Sequence, residues 1–427
     1  MNATINFANR QSATGEKVHL LDKMLFYAWL LVPAYQYSDF HVENSRVGFW
    51  GIAAILLFRM SMRDLLHRRF ILASRGLVLP FVLVFGWKLV ELARAPAQFS
   101  TALLFFFDFL VTYACCLLIA PRIFSIKSWL IEFRRVILFA LVASMFLHPF
   151  LSARTDMAGW DKGSSWAFAH PNIAAMYPLV IYLITLIIFG TGVKRRVQWF
   201  DALCVMFSLV TLTMTGSRTT LGIAFIATLL VLCNVFSFRY LSNAGNRKMK
   251  ALRVTLKLAS VIVIGTGVYI VLDSMGSQGV DAAFSGRWSF AAEVLLSARD
   301  LVLGVGLLPP GSNLLADNST RGAGIDGLYV NLIYGEGYVG LAIFVIAMVA
   351  FQRMTRRDRR FSAYFGVALA SGLLFGVTES HFWLLASPLT ALVAVMAGTL
   401  GTQAGSMKVV RVGAVSTRQP TQRFIGA

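Results

Sequence analysis

Charge is scarce in this chain. Only 14% of its 427 residues are Asp, Glu, Lys or Arg, against 57% hydrophobic residues and a mean hydropathy of +0.68. That excludes an ordinary soluble domain, which carries about 25% charged residues. Cysteine is scarcer still. The four present, Cys115, Cys116, Cys204 and Cys233, all fall inside apolar runs, which excludes a disulfide or zinc framework in the loops and leaves them as small packing or lipid-facing residues. Metal-binding patterns are missing too: there is no HExxH, no aspartate-rich box and no Cys/His cluster. Any reaction is therefore expected to run without metal, and no cofactor is expected. No small-residue cleavage site follows the polar stretch before Leu25, so a removable signal peptide is not expected.

Acidic residues are few relative to basic ones, 20 against 39, for a formal net charge of +19. Nucleic acid would call for one continuous basic face flanked by stacking aromatics, and the basic residues here are dispersed instead. They form short clusters between apolar runs: Arg63/Arg68/Arg69, Arg122/Lys127, Lys194/Arg195/Arg196, Arg239/Arg247/Lys248/Lys250/Arg253, Arg353/Arg356/Arg357/Arg359/Arg360, and a tail from Lys408. A nucleic-acid partner is excluded on that footprint.

What the chain has in abundance is apolar runs of membrane length. A bilayer core about 30 Å thick needs about 20 apolar residues per helix, because lipid offers no partner to a backbone N–H or C=O. Runs of that kind fall near 24–39, 46–62, 75–94, 100–121, 131–151, 171–191, 199–216, 218–238, 254–274, 327–351, 361–380 and 382–401. With the N-terminus in the cytoplasm, every basic cluster lands on the cytoplasmic side, the positive-inside pattern. The expectation is an all-α, polytopic fold of about twelve transmembrane helices. Residues 1–23 form a cytoplasmic N-terminus, 24–401 a single transmembrane domain and 402–427 a cytoplasmic tail. Trp129 and Trp199 fall near cytoplasmic boundaries and are expected to anchor there. Two outer loops exceed a turn, 152–170 and the large loop 275–326, in which Trp288 to Leu303 predicts a short amphipathic helix on the membrane surface with Leu295 and Leu296 on one side.

Basic residues are rare on the outer face, so those present there are candidates for binding. Arg218 sits in Thr215-Gly216-Ser217-Arg218-Thr219-Thr220, a tight turn into a helix whose first N–H groups lack partners. A guanidinium beside such a helix start is an anion site, although an arginine snorkelling to headgroups fits the same pattern. Arg287 lies in Phe284-Ser285-Gly286-Arg287-Trp288, where a solvated loop charge is the alternative. His170-Pro171-Asn172 opens a span, suited either to a sugar or phosphate or to helix capping. Glu379, Ser380, His381 and Trp383 mark the last outer hairpin, where a carboxylate and an imidazole two residues apart can serve proton transfer. Inside predicted spans, Lys88, Glu91 and Asp108 are singled out as costly charges. Lys88 and Glu91, three apart on one helix face, are expected to pair with each other, with Asp108 joining the same outer-leaflet cluster.

These motifs, in this order, resemble the O-antigen ligase and polymerase superfamily, including Wzy-type exopolysaccharide polymerases. The resemblance runs from about residue 165 onward and rests on HPN at 170–172, TGSRTTLG at 215–222, SGRW at 285–288 with LGVG at 303–306, and DGLYVNLIYGEGYVGL at 326–341. It implies a GT-C-like membrane glycosyltransferase of the bacterial cell inner membrane, with the large loop 275–326 and the active face periplasmic. The implied substrate is an undecaprenyl-diphosphate-linked glycan, polymerised with inversion into exopolysaccharide or O-antigen. Carried over by position, Arg218 and Arg287 bind the diphosphate, while His170, Asn172, Trp288 and Tyr329 line the glycan site. Ligases carry His-Asn where this chain has Asp326-Gly327, which favours polymerase and leaves Asp326, Glu379 and His381 as candidate bases. An O-antigen ligase acting on lipid A core is the alternative within the class, and a lipid-linked sugar flippase or secondary transporter the alternative outside it. A protein that sets chain length is a candidate partner besides the bilayer.

Overall fold

The computed structural model describes residues 20–36, 45–66, 69–71, 75–95, 99–151, 164–168, 171–193, 198–241, 287–297, 300–307, 327–356, 358–379, 381–384, 386–404 and 409–411. Helices dominate them: α1 (Leu20–Gln36), α2 (Ser45–Leu66), α3 (Arg75–Ala93), α4 (Phe99–Ile123), α5 (Ile126–Leu151), α6 (Pro171–Thr191), α7 (Trp199–Met214), α8 (Arg218–Leu241), α9 (Arg287–Ser297), α10 (Leu328–Thr355), α11 (Arg359–Thr378) and α12 (Pro388–Ala404). Each predicted apolar run that reaches the described residues contains a helix, and the run at 254–274 lies outside them. Among the described residues, four helices are long and apolar enough to cross a membrane: Phe99–Ile123, Pro171–Thr191, Leu328–Thr355 and Phe361–Thr378. Among the described residues there is also a three-residue antiparallel pairing of β1 (Arg69–Ile71) with β2 (Val409–Arg411), which sequence patterning does not predict.

Helix α6 is apolar on all its faces, Ile173 to Ile188, and is correspondingly buried on all of them. It packs against α5, α7, α8, α11 and α12. Their directions follow from side-chain bonds. Near the start of α5, Arg134 donates to Asp201 in the first turn of α7 at 2.7 Å and to Thr185 late in α6 at 3.2 Å, so the start of α6 lies at the opposite end of the bundle. Tyr182 and Thr228 share a hydrogen bond of 2.7 Å. Each lies about 15 Å along its helix from the first residue, which sets the starts of α6 and α8 at one level.

Basic residues gather at the other end. Arg59 Nε donates to Asp22 at 2.8 Å, Arg122 pairs with Asp64 at 2.9 Å, and Lys23 pairs with Glu132 at 2.7 Å. Trp199 is 75% exposed there, open to the surroundings of the bundle. Trp129 is not: it is 0% exposed, packed among Phe26, Phe124 and Phe133. Its neighbours on α1 and α4 cover it, so it is a core residue.

Helix α10 is broken. Gly337 has φ 70° and ψ −175°, a conformation reached essentially by glycine alone. The last of three residues, Gly335-Glu336-Gly337, it turns the chain so sharply that Tyr329 and Phe344 rings come within 6.5 Å. Segment 300–307 fills the break. Tyr338 N and Val339 N donate to Leu301 O and Val302 O at 2.9 and 3.2 Å, while Val305 N and Gly306 N donate to Tyr334 O and Gly335 O at 3.0 and 2.9 Å. Backbone that leaves the helical ladder is thereby satisfied by protein, the condition for non-helical chain at membrane depth. A Cβ on Gly337 would collide with the Val302 carbonyl, and one on Gly304 with that of Gly335. Gly337→Ala is expected to cost about 1–3 kcal/mol in backbone strain alone, with the collision added, and to lower the thermal unfolding temperature in detergent by several degrees. An unchanged temperature would contradict the close approach.

The predicted surface helix Trp288–Leu303 is shorter than expected. Helix α9 ends at Ser297, with Val294 buried, Leu295 half-buried and Leu296 exposed. The two leucines do not share a face, because consecutive helical residues point about 100° apart. Beyond it Asp300 makes a turn, its Oδ1 accepting from Val302 N at 2.8 Å and Leu303 N at 3.0 Å.

Candidate functional site

The end of the bundle where α6 and α8 begin brings together motifs far apart in sequence. Asn172, in the first turn of α6, donates through Nδ2 to Glu379 Oε1 at 2.5 Å. Glu379 comes directly after the end of α11, and it is 4% exposed. Its second oxygen, Oε2, lies 3.7 Å from His381 Nδ1. The carboxylate is thus fixed on one side by an amide and faces an imidazole on the other. Apo geometries of this kind are commonly long and tighten when substrate binds.

The residues after His381 hold it in place. The turn His381–Leu384 runs back into the bundle, with Trp383 at φ 70°, a rare conformation for a bulky residue. Trp383 N donates to Thr390 Oγ1 at 3.0 Å, and Tyr113 OH donates to Trp383 O at 2.8 Å. Its ring is enclosed by Phe109, Tyr113, Phe344 and Phe351. The last predicted span therefore starts at Pro388 rather than 382, because this turn occupies the residues between. Trp166, at φ 51°, is the second strained aromatic at this end. Its segment, 164–168, is tied to α7 by Ser164 N donating to Met214 O at 2.8 Å.

Arg218 is the first residue of α8, exposed, and it forms no salt bridge among the described residues. The Thr215–Ser217 turn before it is compact, with Thr215 Oγ1 donating to Leu212 O at 2.7 Å and Thr220 Oγ1 to Ser217 O at 2.9 Å. Helix α10 begins at the same end: Gly327 lies against Val377 O and Gly376 O of α11, and Leu328 against Gly376. Tyr329 is half-buried and donates to Leu373 O at 2.9 Å, so its hydroxyl proton is engaged in holding α10 on α11. The starts of α6 and α8 lie side by side at this end, and α10 starts at the same end against α11, so the first N–H groups and positive dipole ends of three helices face the same way. Pro171, the first residue of α6, contributes none.

The expected site residues divide accordingly. Asn172, Glu379 and His381 are in contact, and Arg218 and Tyr329 share their end of the bundle. Arg287 and Trp288 open α9, and their side chains lie outside what is described; His170 and Asp326 lie outside the described residues.

The charges inside predicted spans are paired differently from expectation. Lys88 does not pair with Glu91: it pairs with Glu336 of α10, while Glu91 accepts from Arg94 at 2.9 Å. Asp108 lies apart, bound by Arg46 at 3.2 Å and Trp50 Nε1 at 2.9 Å. Spacing along one helix identifies residues on a face, but α3 turns that face to α10, and the closer cross-helix carboxylate takes the ammonium. Glu336, Arg134 and Asp201 belong with the costly charges, and the criterion that flags Lys88 applies to them as well: each interrupts an apolar run.

Outside the spans, two backbone N–H groups hold Asp300 below the usual carboxylate range, Leu303 first and then Val302, and Arg94 adds to the effect. A depressed folded-state pKa means the turn's contribution is complete above the unfolded value, about 4, and is lost as pH falls through the folded one. Amide protection at Val302 and Leu303 is expected to be flat from neutral pH down to about 4 and, across that range, to be lower in Asp300→Asn. Equal protection in the variant would contradict the cap.

Fold and composition together define a helical membrane protein with several candidate spans. Comparison with protein-family models finds no match, and comparison with curated proteins finds none either.

Proposed function

We propose that the protein is a polytopic inner-membrane glycosyltransferase of about twelve spans, which joins undecaprenyl-diphosphate-linked repeat units into a longer polysaccharide at the periplasmic face. One observation carries the reading. The start of α6, the turn into α8, the start of α10 and the stretch after α11 converge at one end of the bundle, opposite the end where Arg59, Arg63, Arg122 and Lys23 gather. By the charge rule that second end is cytoplasmic, so the converging end faces out.

The chemistry needs an anion holder and a base. Arg218, beside the free N–H groups of the helix starts, binds the diphosphate, and Arg287 is its partner from the outer loop. As the bond between the sugar C1 and the phosphate oxygen breaks, charge grows on the diphosphate, and a fixed guanidinium stabilises it. The acceptor hydroxyl attacks C1 from the opposite face, inverting it, and gives its proton to His381 Nε2. Glu379, oriented by Asn172, holds Nδ1 and stabilises the imidazolium, the division of labour in carboxylate–histidine pairs. The undecaprenyl diphosphate leaves with the bonding electrons. Asn172 and Tyr329 border the glycan.

The rival of another class is separated in vesicles loaded with lipid-linked repeat units in one leaflet. Joined repeat units, without transfer of unjoined ones to the other leaflet, are the expected result. Transfer across the bilayer with no new glycosidic bond would replace the enzyme by a flippase.

A further inference from the structure

A second group of charges lies beside the site and is not used by it. Lys88 of α3 and Glu336 of α10 form an ion pair in which the residues are 2% and 5% exposed. Lys88 Nζ also sits 5.0 Å from the ring centroid of Phe109 and 5.6 Å from that of Phe105. One turn further along α3, Glu91 accepts from Arg94, whose Nη1 and Nη2 donate to Leu303 O at 2.5 Å and Gly304 O at 2.9 Å. Leu307 N returns a bond to Glu91 O at 3.0 Å. Two ion pairs on one helix thus hold both the break in α10 and the segment that fills it.

Burying an ion pair is a poor way to gain stability, since apolar residues of similar volume usually do as well. What the pair supplies is direction. The first piece of α10, Leu328–Glu336, is fixed to α3 at Glu336 and abuts α11 at Leu328, against Gly376 and three residues from Glu379. Its far end thus sets where its near end stands at the site. A displacement of about 1 Å in such a frame is worth up to about 100-fold in rate.

We propose that Lys88 and Glu336 are positioning residues, an electrostatic anchor that fixes the Leu328–Glu336 piece against α11 beside Glu379 for the transfer step. The proposal rests on the glycosyl-transfer reading for its kinetic arm. Three proteins test it: wild type, Lys88→Arg, which keeps the charge pair, and the neutral pair Lys88→Met/Glu336→Leu, which leaves no orphan charge. The neutral pair is expected to insert and to unfold thermally like wild type. Its kcat for elongation falls at least 10-fold with the KM for lipid-linked donor within 2-fold, and the amides of Val305, Gly306, Tyr338 and Val339 exchange faster. Lys88→Arg stays near wild type on all counts. Wild-type kcat and exchange in the neutral pair would overturn the anchor, and so would its failure to fold, since the pair would then be structural. Amide exchange is read without activity, so the anchor is decided even if wild type transfers no glycan, an outcome that would count against the function alone.

Discussion

Arg218→Ala is expected to lower elongation by about 10²–10³ in kcat, the usual loss when one fixed donor to a developing anion is removed, while membrane insertion stays intact. Arg218 is exposed at the start of α8, and it forms no salt bridge among the described residues. Among the described residues its removal therefore leaves no orphan carboxylate, so a loss of activity with insertion intact reports the ligand it binds. Lysine is expected to restore little, because the charge returns without the planar fork that matches two phosphate oxygens. Arg287→Ala is expected to behave alike. Full elongation in either variant would remove that arginine from the site.

The second large effect belongs to proton transfer. His381→Ala is expected to slow single-turnover elongation by about 10²–10⁴ and to leave donor affinity unchanged. Glu379→Gln, which keeps the bond from Asn172 in shape but loses the charge facing Nδ1, is expected to fall between the two. Asp326→Asn serves as the comparison, because Asp326 is the other carboxylate near the start of α10. Near wild-type turnover in His381→Ala together with a collapse in Asp326→Asn would move the base to Asp326.

The helices were legible because lipid imposes one simple rule, a run of apolar residues, and α6 obeys it on every face. The break in α10 was not, although Gly335-Glu336-Gly337 stands in plain view. A window of membrane length averages over it, and what makes it a break is a segment some thirty residues earlier, 301–306, supplying its hydrogen bonds. Candidate site residues were legible as types at the ends of apolar runs. Their contacts were not, because Asn172 and Glu379 meet only when α6 and α11 pack. The same cause misdirected the pairing of Lys88: periodicity orders residues on one helix, and the partner came from another. Trp129 failed for a related reason, since nearness to a span boundary does not say whether a neighbouring helix covers the ring.

Glycosyl transfer by polymerisation is read from the product pattern of the purified protein given lipid-linked repeat units together with lipid A core. A ladder of lengthening lipid-linked glycans is expected, with undecaprenyl diphosphate released at each step. Glycan transferred to the core without a ladder would contradict it and make the protein a ligase, and the absence of any new glycosidic bond would contradict glycosyl transfer altogether.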